Sequence, residues 1–243
     1  MGFELLADLA KLAFFVVGAY LVLQASARRW QPGWSLVLTH RRLAVLGALA
    51  LVMGAIKVIE DVVAKESGPV DTAILWFLRE QVPVALSGFF GAVTLSGSAA
   101  FLLPASVVAV VALLLARRRF EALLFGASML TATLLVYVLK AVVGRARPAL
   151  WQSEWYWGSS FPSGHTLSTA AFATAAALCL ARIWPRSATI ATVIALLWTG
   201  LVALSRLVLG VHWPSDVLAA LCLGAFIPLL FSVLFDRATA GHR

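Results

Sequence analysis

Three short stretches carry the residues that could do chemistry: KAVVGRARP at 140–148, PSGH at 162–165 and SRLVLGVHWPSD at 205–216. They contain four bases, Lys140, Arg145, Arg147 and Arg206, and two of the chain's four histidines, His165 and His212. Against these stands one obvious acid, Asp216, with Glu154 available in the loop between the first two stretches. So large an excess of bases calls for a missing anion. Phosphate is the natural one, because guanidinium groups bind its oxygens in pairs and an ammonium adds a point charge.

Each stretch suggests a role. Pro162 suits a helix entry, and Ser163 and Gly164 would place backbone N–H groups at the N-terminus of the next helix, where unpaired donors and the helix dipole favour an anion. Gly164 also removes side-chain bulk where an oxyanion must approach. His165 would stand beside that anion as a proton donor; alone, the triplet reads first as a helix cap with an interfacial histidine. In HWPSD, Asp216 lies four residues after His212 and Pro214 suits a first helical turn. A carboxylate there can reach back to one imidazole nitrogen and leave the lone pair on the other, which makes His212 a candidate nucleophile at phosphorus. The plainer alternatives are a dipole cap for Asp216 and an interfacial hydrogen bond for His212.

Helices must position these stretches. The chain has 243 residues, 62% of them hydrophobic and only 12% charged, with a mean hydropathy of +0.95, which excludes an ordinary soluble domain. Apolar runs approaching the roughly 20 residues that cross a bilayer occur at 9–26, 43–62, 100–116, 120–143, 164–183, 187–207 and 214–235. The expected fold is all-α, a polytopic transmembrane helical bundle of about six to seven spans. Its first apolar run either crosses the bilayer, acts as a signal anchor or lies at the interface. No cleaved signal peptide is expected, because MGFELLADLAK lacks a basic start and no small-residue cleavage site follows. One membrane domain over 1–243 is expected, with the N-terminal spans and an outer amphipathic segment in 1–99 and the core bundle in 100–235. In the polar interlude 63–99, Ile74, Leu75, Phe77 and Leu78 recur at helical spacing, so a short amphipathic helix on the outer surface is expected.

A net charge of +8 would suit a nucleic acid, but the basic residues cluster between spans: Arg28, Arg29, Arg41 and Arg42, then Arg117, Arg118 and Arg119, then Arg182 and Arg186, then Arg237 and Arg243. Under the positive-inside rule these segments are cytoplasmic, and no nucleic-acid partner is expected. The three chemical stretches then share the opposite, outer face. Cys179 and Cys222 lie in apolar spans without ligand spacing and are expected to be core residues. With His40 on the cytoplasmic side and His242 in the tail, no outward cluster suits a metal, so no metal or other cofactor is expected. The loop ALWQSEWYWGSSF sets Trp151, Trp155, Tyr156, Trp157 and Phe161 beside the cradle, either as an interfacial belt or as contacts to a lipid head group.

Together the three stretches resemble the signature of the type 2 phosphatidic acid phosphatase superfamily, which includes integral-membrane lipid phosphatases, glucose-6-phosphatase and the soluble vanadium haloperoxidases. The signature runs Lys, six residues, Arg-Pro; then Pro-Ser-Gly-His; then Ser-Arg, five residues, His, three residues, Asp. Every position is matched from Lys140 onward, whereas residues 1–119 match only in general character. The resemblance implies that Lys140, Arg147 and Arg206 clamp a phosphate and that Ser163 and Gly164 complete its cradle. It implies that His212 attacks phosphorus to give a phosphohistidine, that Asp216 orients it, and that His165 protonates the leaving oxygen and then helps activate water. Arg145 is outside the signature; it would meet a second phosphate or head group, or be solvated.

The implied activity is metal-independent removal of a terminal phosphate from a lipid, with undecaprenyl diphosphate first and phosphatidic acid, phosphatidylglycerol phosphate, lipid A phosphates or a sugar phosphate as alternatives. The implied setting is a bacterial inner membrane with the site facing the periplasm or exterior, and the expected partners are the lipid phosphate and the bilayer. A haloperoxidase-like vanadate enzyme fits poorly with seven apolar runs. A non-catalytic lipid-binding or transport protein would be expected to have lost His212, His165 or Asp216.

Overall fold

The computed structural model describes residues 2–151 and 158–240. Ten α-helices are present among them: α1 (Gly2–Trp30), α2 (Pro32–His40), α3 (Arg42–Val63), α4 (Gly68–Gln81), α5 (Ser87–Leu95), α6 (Ala99–Leu115), α7 (Arg119–Val143), α8 (Gly164–Ile183), α9 (Ala188–Val208) and α10 (Pro214–Ala240). Among the described residues, seven segments are long and apolar enough to cross a membrane: Ala10–Trp30, Arg42–Val63, Val84–Leu115, Arg119–Val143, Gly164–Ile183, Pro185–Val208 and Pro214–Asp236. The chain is an all-helical integral membrane protein. In such a bundle the backbone satisfies itself within each helix, and large apolar side chains such as Leu130, Leu134 and Val138 of α7 point outwards because their solvent is lipid.

α8 and α10 are the most enclosed spans and α1 is among the least. α8 presents small buried residues, Ala170, Ala171, Ala173 and Ala175, that let its neighbours approach closely. The closest approach is at Gly224 of α10, where a Cβ would lie 2.4 Å from the Leu167 carbonyl oxygen and 2.7 Å from Ala170 Cβ. Around this seam Leu124, Phe125 and Met129 of α7, Leu167 and Ala171 of α8, and Ala220, Leu223 and Ile227 of α10 form the main core. At the end opposite the three stretches, Arg182 pairs with Asp236 at 2.8 Å and Glu121 at 3.7 Å, and Arg41 pairs with Asp236 at 2.5 Å. This cluster ties α7, α8, α10 and the α2–α3 junction together.

The interlude between the second and third spans differs from its expected form. The amphipathic helix is present as α4, but residues 84–95 are not polar loop. A 3₁₀ turn at Val84–Leu86 and α5 lead through Ser96–Ser98 into α6, so the third span begins well before residue 100. Gly and Ser in ALSGFFGAVTLSGS dilute an otherwise apolar stretch, and packing against α9 decides its structure. α4 is also more than a surface helix. Leu75 and Asp71 are buried, and the helix rests on α9 and α10 at the end of the bundle where the three stretches meet.

Candidate active site

Lys140, in the last turn of α7, donates from Nζ to the Ser159 carbonyl. The chain leaves α7 at Gly144 and returns at 158–163, held by Ser160 N to Arg145 O at 2.8 Å and Ser160 Oγ to Ala146 O at 3.1 Å. Within that return Arg147 donates from Nε to Gly158 O at 3.3 Å and from Nη1 to Val211 O at 2.8 Å. Arg206, near the end of α9, is fully buried, and its Nη1 donates to Thr94 Oγ1 of α5 at 2.6 Å. Lys140, Arg147, Arg206 and His212 all lie close enough to His165 to interact with it electrostatically, so the three stretches converge as their spacing implied.

His212 lies buried in the turn between α9 and α10. Gly210 shapes this turn with φ +68, and the Trp151 indole packs so close that a Cβ there would lie 2.6 Å from it. The Arg147 Nη1 group is 3.3 Å from His212 Nε2, and Asp216 Oδ2 is 3.5 Å from Nδ1. A guanidinium can only donate, so Nε2 is the acceptor and the proton belongs on Nδ1, facing the carboxylate. Burial pushes the His212 pKa down to about 4; Asp216 opposes the shift, while Arg206 and Arg147 add to it. The imidazole is therefore neutral near pH 7, with its lone pair on the nitrogen that faces Arg147. Asp216 sits in the first turn of α10 and accepts from Trp213 N at 2.9 Å, which fixes the start of that helix.

In the second stretch, Ser163 precedes α8 as its N-cap, but its N–H donates to Asp216 O at 3.3 Å and its Oγ bonds to Thr166 Oγ1 at 3.0 Å. The N–H expected to face an anion is thus spent on joining α8 to α10. The donors without an intrahelical carbonyl are those of Gly164, His165 and Thr166 in the first turn. A Cβ at Gly164 would meet only Val136 Cγ1, at an ordinary 3.5 Å, so the protein itself leaves room there. His165 lines a cavity of about 160 Å³ with Gly97, Leu102, Leu103, Met129, Val136 and Tyr137, an apolar hollow between α6, α7 and α8.

Arg145 is neither solvated nor free for a second phosphate or head group. Its side chain is 17% exposed, with Nη1 at 2.7 Å from Asp216 Oδ1 and Nη2 at 2.7 Å from Asp71 Oδ2. Asp71 is the residue the sequence reading missed. It sits in the first turn of α4, where an acid has a sufficient local explanation in the helix dipole, and nothing near it in sequence signals a partner. Thr94 carried no signal either. With Asp71 included, four cations face two carboxylates, and the net excess of two positive charges suits a phosphoryl dianion.

Trp151 is partly buried, 5.5 Å from the Trp76 ring, with the Arg79 guanidinium 5.5 Å above it. It packs α4 against the His212 turn. Trp155, Tyr156 and Trp157 lie outside the described residues, as does Glu154. Among the described residues no group of three or more His, Cys, Asp and Glu side chains is arranged to hold a metal ion.

A family model described as the PAP2 superfamily matches residues 121–240, a range that holds all three stretches. The lipid A 1-phosphatase of Rhizobium johnstonii is 35% identical over 114 residues, 43% of this chain and 43% of that protein, so the match spans less than half of that relative. Phosphatidylglycerophosphatase B of Bacillus subtilis is 32% identical over 138 residues, 56% of this chain and 68% of that protein. The crystal structure of the first transmembrane PAP2 type phosphatidylglycerolphosphate phosphatase from Bacillus subtilis matches with a TM-score of 0.71 and 26% identity, covering 78% of this chain and 96% of that one. Motif residues gathered at one end of a bundle that shares nearly the whole fold of that phosphatase make this chain a member of the PAP2 superfamily.

Proposed function

We propose that this protein is a metal-independent lipid phosphatase working through a phosphohistidine. The observation that carries this reading is His212 itself: neutral, buried, with Nε2 directed to Arg147 and Nδ1 to Asp216. In the first step Nε2 bonds to phosphorus as the bond to the lipid oxygen breaks, and that oxygen takes a proton from His165. In the second, His165 takes a proton from water, the water oxygen attacks phosphorus, and the P–N bond returns its electrons to His212. Lys140, Arg147 and Arg206, with the first N–H groups of α8, neutralise the phosphoryl oxygens, the role a metal would otherwise fill.

The apolar hollow beside His165 supports a lipid as substrate, since it offers an acyl or prenyl tail a path to the proton donor from between helices. The arginine-rich connections at the opposite end favour an outward-facing site in a bacterial inner membrane. A carrier such as undecaprenyl diphosphate presents its terminal phosphate on that face and is the first candidate. The second reading, phosphatidylglycerol phosphate or a lipid A phosphate, draws on the names of the relatives. The test is phosphate release by purified protein, with chelator present, from a panel of undecaprenyl diphosphate, phosphatidylglycerol phosphate, phosphatidic acid and lipid A. Release from at least one lipid in chelator is expected, with undecaprenyl diphosphate fastest. Activity that vanishes in chelator and returns with added metal contradicts the mechanism.

A further inference from the structure

Arg145 holds a buried ion triplet whose purpose stability alone does not explain. Charges withdrawn from water gain little net free energy over apolar residues of the same shape, whereas they fix geometry where both partners are fully hydrogen-bonded. Here the bonding is nearly complete. Arg145 Nη1 donates to Asp216 Oδ1 and Ser215 Oγ, each at 2.7 Å, and Nη2 donates to Asp71 Oδ2 at 2.7 Å and Ser67 Oγ at 3.1 Å. Asp71 accepts from Ser215 N through Oδ1 at 2.8 Å and from Ser215 Oγ through Oδ2 at 2.6 Å. The Trp213 ring covers the guanidinium at 5.4 Å.

We propose that Asp71, Arg145 and Ser215 are positioning residues for the reaction, through which α4 fixes the orientation and effective charge of Asp216 and so the tautomer of His212. This rests on the reading of His212 as nucleophile. Asp216 cannot turn away from His212, because Arg145 holds one oxygen and Trp213 N the other. Arg145 by itself would cancel the Asp216 charge. Asp71 takes up half of that guanidinium, so the triplet retains a net negative charge facing the imidazole as it becomes positive on bonding to phosphorus. The other charged or titratable groups that act on His212 are Arg147 of the loop after α7, His165 of α8 and Arg206 of α9, and Lys140 of α7 acts on Asp216, Arg147 and Arg206.

The experiment compares wild type, Asp71→Asn, Arg145→Gln, Arg145→Lys, Ser215→Ala and His212→Ala on whichever of undecaprenyl diphosphate, phosphatidylglycerol phosphate, phosphatidic acid and lipid A the wild type hydrolyses fastest, each variant first shown to be monodisperse in detergent. Asp71→Asn and Arg145→Gln should lower kcat about 10- to 100-fold, with KM within about threefold because neither residue touches substrate. The acid limb of kcat/KM should move in opposite directions. Removing the Asp71 charge disfavours imidazolium and shifts the limb to lower pH, and removing the Arg145 charge shifts it to higher pH. Arg145→Lys keeps the charge without the fork, so it should return the limb to its wild-type place while kcat stays low. If the larger changes prevent folding, Ser215→Ala, which deletes one hydroxyl, should still lower kcat several-fold at unchanged KM. Wild-type kcat in Asp71→Asn and Ser215→Ala, displacement of the limb in the same direction by both charge removals, or a rise in KM alone would each overturn the proposal. The function itself fails only if wild type releases no phosphate or His212→Ala remains active.

Discussion

Arg147 Nη1 stands 3.3 Å from His212 Nε2, so the cation proposed to bind phosphate and the nitrogen proposed to attack phosphorus face each other. In the proposed mechanism a phosphoryl group that binds Arg147 displaces that contact and presents phosphorus to the same lone pair. Binding and attack therefore share one geometry, in which the donor that marks the tautomer also delivers the substrate.

A pH dependence follows. The nucleophile must be unprotonated, and burial holds His212 near 4 rather than 6.5. As pH falls, kcat/KM should therefore stay level through 6.5 and decline only towards 4, provided the substrate's own ionisation is allowed for. An acid limb centred at the ordinary histidine value, and abolished in no other histidine variant, would contradict this assignment.

In the proposed mechanism His165 supplies a proton to the leaving oxygen, so its value depends on how much the leaving group needs one. His165→Ala should cost about 100-fold or more on a lipid phosphate and markedly less on an aryl phosphate whose phenolate leaves unaided. Equal losses on both substrates would make His165 a phosphate ligand and not a donor.

The α8–α10 seam should tolerate no added bulk. Gly224→Ala drives a methyl group to 2.4 Å from the Leu167 carbonyl oxygen, whereas the same change at Gly200 meets nothing within 4 Å. Thermal unfolding in detergent should show Gly224→Ala destabilised by about 1–3 kcal/mol and Gly200→Ala nearly unchanged. Equal melting temperatures for the two variants would contradict the close packing.

Much of this was legible in the sequence. The spans at 164–183 and 214–235 were readable almost to the residue, because uninterrupted apolar runs have no alternative to a helix in lipid. The convergence of Lys140, His165 and His212 was readable because each stood at the same end of its span. Contacts between distant elements were not. Arg145 meets Asp71 across 74 positions and Arg206 meets Thr94 across 112, and no local pattern encodes either pairing. α5 was hidden for another reason: its glycines and serines weaken the apolar signal that packing against α9 then restores. The bond from Ser163 N–H to α10 was not legible, because an N–H at a helix start is free only if no other element supplies a carbonyl, and α10 supplies one.

Sidedness can be tested directly. In a background with Cys179 and Cys222 replaced by Ala, a single cysteine at exposed Ala149 should react with an impermeant thiol reagent in intact cells. One at Ser187, at the opposite end, should react only after permeabilisation. The reverse pattern would place the site on the cytoplasmic face and exclude an outward-facing lipid carrier as substrate.

In the proposed mechanism His212 becomes covalently bonded to phosphorus. Purified wild type and His212→Ala, mixed with lipid carrying a labelled terminal phosphate and quenched in alkali within a single turnover, are compared for protein-bound label. Wild type should carry acid-labile, alkali-stable phosphate on His212, and His212→Ala should carry none and release none while keeping the wild-type elution profile. Turnover above a few per cent of wild type in His212→Ala, or label that maps to another residue, would contradict the account.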